Sequence, residues 1–266
     1  MATKDHERQE RERGSGTIDM ADKQSTGHAK QSPQGKALRA LNTAPDGKVY
    51  FSYADIHSTI CSLHEEILAF QPDVIVAIGG GGFIPARMLR TLLKIPILAV
   101  SLELYDDSTN TMNNEVKIVQ WFDETSGVGK SVRGKRVLVV DEVDDSRTTL
   151  AACVATLQKT NAPSAICVAV VHNKDKPKKG VLPNDVLYLA GDFIPNAWCC
   201  YPWDAASYSH TIVEHEEIAK QCVGGGGGGG AARQLVPAWA LVLLSFAAGA
   251  GAALALTRRR AAADSR

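Results

Sequence analysis

No Cys-x-x-Cys pair occurs among the six cysteines of this 266-residue chain, Cys61, Cys153, Cys167, Cys199, Cys200 and Cys222. Structural zinc sites depend on such spacings, and Cys153 and Cys167 sit in apolar runs where a small hydrophobe suffices. The pattern therefore argues against zinc or disulfides and fits a reducing compartment. Net charge is lacking too: 29 basic residues balance 29 acidic ones. No global field then draws the chain to a polyanion, and no nucleic-acid partner is expected. The first 30 residues contain no apolar stretch of a secretory signal. Residues 1–47 have almost no aliphatic periodicity and read as a polar extension that buries too little surface to order itself.

Residues 48–223, by contrast, carry repeated Val/Ile/Leu runs and read as one folded domain. Seven consecutive glycines, Gly224 to Gly230, open a linker at 224–233. The segment 234–257 has no charged residue and precedes a basic tail, 258–266, that starts with three arginines. As a helix it would be roughly 36 Å long, enough to cross a bilayer core of about 30 Å. It is a candidate tail anchor that would leave the domain facing the cytoplasm. The alternative is a low-complexity Ala/Gly extension.

Within the domain, residues 53–70 place Ile56, Ile60, Leu63, Ile67 and Leu68 on one face, which predicts an amphipathic helix from Tyr53 to Phe70. Helices are also expected over 85–93 and over Thr148 to Lys159. Strand candidates are 74–79, 96–104, 115–122, 136–143, 165–173 and 185–193, and the polar stretch 105–114 reads as a mobile loop. Continuous β-branched runs alternating with helices imply an α/β fold with a parallel sheet covered on both faces. Ligands of such sheets bind beyond the carboxyl ends of the strands.

The most informative of those ends is VLVVDEVDDSRTTL, residues 137–150. An apolar strand runs into Asp141-Glu142, then Asp145-Ser146-Arg147-Thr148-Thr149 leads into a helix. Backbone N–H groups at the helix start, with the hydroxyls, suit a phosphate dianion. The acids suit sugar hydroxyls or Mg²⁺. A ribose 5-phosphate would satisfy both halves. An ordinary helix cap needs one acid, whereas four stand within five positions here.

Apolar strand, acidic pair, then Asp-(Ser/Thr)-x-x-Thr resembles the phosphoribosyl pyrophosphate (PRPP) motif of type I phosphoribosyltransferases. That resemblance implies a central parallel sheet flanked by helices, with a small base-binding hood and a mobile flap. Asp141 and Glu142 would bind the ribose hydroxyls and Mg²⁺-PRPP, and Asp145, Ser146, Arg147, Thr148 and Thr149 would wrap the 5-phosphate. Arg147 departs from the usual glycine, and a similar segment occurs in fungal and protist hypoxanthine and xanthine transferases. Its guanidinium could add a charge-assisted contact to phosphate or alter the loop.

The run Gly79 to Gly82 follows a strand and precedes a helix, but Ile84 and Pro85 occupy the places that a dinucleotide fingerprint gives to its third glycine. Side-chain-free backbone instead lets N–H groups approach a pyrophosphate. The segment resembles the pyrophosphate loop of purine transferases, which implies that role for Gly80, Gly81 and Gly82. Lys174 is a donor that suits a 6-oxo group and rejects a 6-amino group, and Trp198 can stack on a purine. The run IPNAWCCYPWD (194–204) is similar to one in the bacterial xanthine–guanine transferase. By that resemblance Trp198 stacks on the base, the Cys199 backbone bonds its edge, and Asp204 reaches Mg²⁺ or pyrophosphate. Asp145 is the implied acid/base and Tyr105 marks the flap, although Leu104 stands where relatives have serine. A homo-oligomer, dimer or tetramer, is implied as well. The expected activity is 6-oxopurine salvage with Mg²⁺. Its competitors are a transferase for another base and a non-catalytic PRPP sensor.

Overall fold

The computed structural model describes residues 35–106, 111–123 and 127–223. Its centre is a six-stranded sheet of β2 (Val74–Gly79), β3 (Ile97–Asp106), β4 (Thr111–Gln120), β5 (Arg136–Asp144), β6 (Ala165–Asp175) and β7 (Leu187–Pro195). The spatial order is β4-β3-β2-β5-β6-β7. Five strands are parallel, and β4 returns antiparallel to β3.

Period-two alternation sorts the strands' side chains into two cores. Ile75, Ala77, Leu138, Val140, Cys167, Ala169 and Val171 face one layer. It is built on α1 (Tyr53–Cys61), α2 (His64–Phe70), α3 (Phe83–Leu93) and α6 (Ile212–Val223). Val74, Val76, Ile78, Val137, Val139, Val168 and Val170 face the other, under α5 (Thr148–Thr156). The sheet is thus buried on both sides, as its unbroken apolar strands require. From β2 the chain steps to β3 on one side and later to β5 on the other. That switch point opens a crevice at the strands' carboxyl ends.

Three elements differ from the sequence pattern. The helix expected over 53–70 is interrupted: Ser62 Oγ donates to the Thr59 carbonyl at 2.7 Å, and the Leu63 amide closes a tight turn on Ile60 at 3.1 Å. A serine hydroxyl that competes for backbone acceptors ends α1 one turn early. The helix after β5 stops being α-helical at Thr156 and widens into a π-turn, Leu157–Asn161. There Thr156 and Thr160 bond the carbonyls four residues behind them. The stretch read as a loop is largely a ribbon, because β3 and β4 pair as far as Asp106 opposite Thr111. The same antiparallel strand makes the sheet mixed.

Residues 36–39, read from sequence as part of the polar extension, run along β7, and Asn42 continues to the end of α6, donating its amide to the Cys222 carbonyl at 2.9 Å. Leu38 bridges Phe193, and Arg39 binds Asp55 and Asp192, each at 2.6 Å. A small hood lies over the carboxyl ends. It consists of β1 (Val49–Tyr50) paired with β8 (Cys199–Cys200), followed by a 3-10 helix, Pro202–Tyr208. Among the described residues no helix is long and apolar enough to cross a membrane; the segment 234–257 lies outside them.

Candidate active site

Strand alternation sends the Asp141 and Glu142 carboxylates to opposite faces of β5. Asp141 is buried and accepts the Glu142 amide at 3.0 Å. Burial, reinforced by the neighbouring Glu142 charge, pushes its carboxyl well above the usual range. Glu142 instead lies against the glycine loop, so close that a Cβ on Gly81 would fall 1.8 Å from its carboxyl carbon. Gly82 is equally constrained, since a Cβ there would come within 2.4 Å of the Val140 carbonyl and 2.6 Å of the Ile78 carbonyl. Gly80 faces open space. Glu142 Oε2 is buried without a hydrogen-bond partner. An orphaned carboxylate oxygen beside exposed backbone suits a hard cation that takes oxygen ligands.

After Asp144 the chain turns into α5. Ser146 Oγ and Thr148 Oγ1 share a hydrogen bond of 2.9 Å at the start of that helix. The first-turn N–H groups beyond have no intrahelical acceptor and point toward an anion position. Arg147 caps the helix in a left-handed conformation, φ 65°. Its guanidinium does not reach into the loop mouth. It turns inward onto Asp144 Oδ2, at 2.9 Å from Nε and 2.6 Å from Nη2, and stacks on Tyr188. The expected charge-assisted contact from this side chain to phosphate is therefore replaced by an internal pair, and only the Arg147 backbone faces the loop.

At the carboxyl end of β6 Lys174 is buried, with Nζ 2.9 Å from Asp145 Oδ2. Lys176 binds the other Asp145 oxygen. Burial alone would raise the Asp145 carboxyl; the hydrogen bonds and charges of Lys176 and Lys174 outweigh it and hold the group below its usual range. Lys178 Nζ donates to the carbonyls of Asp144, Asp145 and Lys174 at 2.6, 2.9 and 2.9 Å. Neither Lys176 nor Lys178 stood out in the sequence. The signal was present in the run Lys174-Asp-Lys-Pro-Lys-Lys, but a charge run ordinarily reads as a solvated surface.

Trp198 is 63% exposed, and its ring leaves a free face beside the hood while Nε1 donates to Tyr208 at 3.2 Å. The next residue, Cys199, pairs with Val49 in the hood, and burial pushes its thiol up to about 11. Asp204 is exposed on the 3-10 helix. Partial burial and then the Glu142 charge raise its carboxyl. A further feature missed in the sequence is a ring stack: Phe51 on His172 (ring centroids 4.0 Å apart), His172 on Tyr201, and Tyr201 on Trp203 (4.9 Å). The Tyr201 hydroxyl lies 2.8 Å from His172 Nδ1 and 3.4 Å from the Glu142 carbonyl. Tyr105 contributes its backbone to β3, opposite Met112. Among the described residues no group of three or more His, Cys, Asp or Glu converges as a metal-ligand set.

The carboxyl ends of the strands thus carry a glycine loop, an orphaned carboxylate, a helix-start anion cradle and a lysine–aspartate pair, and the hood adds an exposed indole. Residues 51–191 match the family described as phosphoribosyl transferase domain. Xanthine phosphoribosyltransferase 1 of Saccharomyces cerevisiae is 41% identical over 207 residues, covering 66% of this chain and 97% of that protein. The hypoxanthine-guanine phosphoribosyltransferase of Schizosaccharomyces pombe is 42% identical over 195 residues, covering 64% and 93%. A hypothetical protein from Neisseria gonorrhoeae, crystallised with bound ppGpp, is 45% identical, with a TM-score of 0.57 over 65% of this chain and 96% of that one. With the family match spanning more than half its length and whole relatives aligning to it, the chain belongs to the phosphoribosyl transferase domain family.

Proposed function

We propose that this chain transfers the phosphoribosyl group of PRPP to a 6-oxopurine (hypoxanthine, guanine or xanthine), releasing pyrophosphate and forming the nucleoside 5'-monophosphate in purine salvage. The observation that carries the reading is the Lys174–Asp145 pair at 2.9 Å, with the exposed ring of Trp198 in the hood as its proposed stacking partner for the base. The edge of a 6-oxopurine places a carbonyl oxygen beside an imidazole N–H, so it needs a donor next to an acceptor. Lys174 supplies the donor and Asp145 the acceptor. Adenine would set an amino group against the ammonium.

In this reading the base nitrogen attacks the anomeric carbon as the bond to pyrophosphate breaks, and positive charge builds on the ribose. Asp145, ionised through its lysines, takes the imidazole proton. The backbone of Gly80 and Gly81 faces the pyrophosphate, whereas Gly82, expected to share that role, is buried and gives its amide to the Ile78 carbonyl at 2.9 Å; residues 145–149 hold the 5-phosphate. Glu142 and Asp204 would hold Mg²⁺, which when bound would offset charge on the leaving group. Asp141 holds the Glu142 amide and so supports this placement.

Incorporation of radiolabelled hypoxanthine, guanine, xanthine and adenine, each with PRPP and Mg²⁺, tests the assignment. Nucleotide should form from at least one 6-oxopurine and not from adenine, and Asp145→Asn should abolish it. If no base is converted, the reading fails. Homo-oligomerisation and tail anchoring by residues 234–257 are separate proposals. Sedimentation of the intact chain as a monomer overturns the first, and a diffuse signal from a reporter fused to residues 231–266 overturns the second.

A further inference from the structure

The residue after Ser146 is the one departure from the family's phosphate loop, and the structure gives it partners. Arg147 holds a left-handed backbone that glycine would adopt freely. Its guanidinium binds Asp144, whose side chain is fully buried. The same Asp144 oxygen accepts the Tyr188 hydroxyl at 2.7 Å, and the Tyr188 ring lies 4.4 Å below the guanidinium. Lys178 approaches the other Asp144 oxygen at 3.5 Å while bonding the consecutive Asp144 and Asp145 carbonyls that open the turn. The loop that carries Lys178 then closes on the turn, as the Lys179 and Gly180 amides both donate to the Ser146 carbonyl, at 2.9 and 3.1 Å. A Cβ on Gly180 would lie 2.2 Å from the Arg147 carbonyl.

We propose that Asp144, Arg147, Tyr188 and Lys178 form a staple beneath the loop 145–149. These positioning residues fix the loop's backbone for a sugar 5-phosphate and keep the arginine side chain out of the phosphate position. The buried carboxylate is the centre of the device. Arg147 from the turn itself, Tyr188 from β7 and Lys178 from the loop after β6 each send one group to it, so the turn's conformation is set from below and does not wait for ligand. An arginine replaces the glycine because Asp144 needs a cation, and the pairing in turn holds the left-handed turn that an arginine would otherwise resist.

The inference rests on the PRPP reading of the loop, and its test separates the two. Affinity for ribose 5-phosphate is measured by calorimetry, and KM for PRPP and kcat by initial rates, in the intact chain and in Arg147→Gly, Asp144→Asn, the double variant and Tyr188→Phe. Thermal melting establishes that each is folded. Members of one staple act as a unit. Each single change at 144 or 147 should weaken ribose 5-phosphate and raise KM for PRPP about tenfold with kcat retained, and the double variant should do no worse. Tyr188→Phe, which keeps the ring and loses one hydroxyl, should give a severalfold rise and keeps the test available if a charge variant does not fold. An Arg147 that contacts phosphate directly would make the two losses multiply to about a hundredfold, which overturns the staple alone. Failure of the unaltered chain to bind ribose 5-phosphate overturns both the staple and the loop assignment.

Discussion

Three adjacent glycines should respond to the same small perturbation, one added methyl group, in three different ways. At Gly82 the new Cβ would stand 2.4 Å from the Val140 carbonyl and 2.6 Å from the Ile78 carbonyl, both on central strands. Backbone there cannot yield without breaking the sheet, so Gly82→Ala should cost about 3 kcal/mol. For a domain of this size that lowers Tm by roughly 6–12 °C. At Gly81 the obstacle is the Glu142 carboxylate, 1.8 Å away, the far end of a flexible side chain. Gly81→Ala should displace that carboxylate and cost less than about 1 kcal/mol of stability. It should also raise KM for PRPP about tenfold or more, a loss of roughly 1.4 kcal/mol of binding. At Gly80 nothing lies within 4 Å, so Gly80→Ala should melt with the unaltered protein. Differential scanning calorimetry and initial-rate kinetics read the two axes separately. A Gly81→Ala protein that binds PRPP normally would refute the placement of Glu142 at the ligand, and a Gly82→Ala protein of unchanged Tm would refute the packing.

Trp198→Ala should leave Tm within a degree or two, because the ring is largely exposed, while raising KM for the base several-fold and sparing KM for PRPP; equal effects on both substrates would contradict a stacking role. Lys176→Met removes one of the two cations that hold Asp145 low, so the acid limb of the kcat/KM profile should move to higher pH; an unmoved limb would mean that the titrating group is one the lysine does not touch. His172 is buried and neutral, its imidazole pushed down to about 3 from 6.5, chiefly by burial. Its unfolded form binds a proton below about pH 6.5 and its folded form does not, so stability should fall with falling pH from there to about pH 3. The slope approaches about 1.4 kcal/mol per unit, and urea titrations of His172→Asn should show a flatter dependence.

The fold was legible where hydrophobic runs spoke for it. The strand over 74–79 needed no revision, since six apolar or glycine positions between a turn and a glycine cluster admit little else. The break at Ser62 and the π-turn after Thr156 were not legible, because hydroxyl back-bonds leave the apolar spacing untouched. In the site, the motif 141–149 and Lys174 were found from residue types, and the structure gathers them into one crevice. The partners of those residues were hidden for a topological reason. Tyr201 meets His172, and Lys174 meets Asp145, across 29 residues of chain in each case, through the pairing of β6 with β5 and the return of the hood. The inward turn of Arg147 depended on Tyr188, which stands outside every motif, and on Asp144, which the motif counts among its acids without announcing an arginine partner.

Charge in the crevice leads to one more expectation. The four acids Asp141, Glu142, Asp144 and Asp145 meet Arg147, Lys174, Lys176 and Lys178, so the cluster as a whole is balanced. The balance is uneven, because all four cations engage Asp144 or Asp145. The Asp141–Glu142 end has no such cation: burial, reinforced by the Glu142 charge, raises the Asp141 carboxyl, and the Glu142 carboxylate faces the glycine loop without an ion-pair partner among the described residues. A pyrophosphate brought to the glycine loop therefore meets a carboxylate and no committed cation, whereas a 5-phosphate meets backbone N–H groups and hydroxyls on the balanced side. Divalent cation should accordingly govern the two halves of PRPP differently. In calorimetry, replacing Mg²⁺ by EDTA should weaken PRPP at least tenfold and leave ribose 5-phosphate within about twofold. PRPP that binds as tightly in EDTA would mean that some lysine or arginine leaves its aspartate to meet the pyrophosphate, and the division of labour between the two ends of β5 would have to be abandoned.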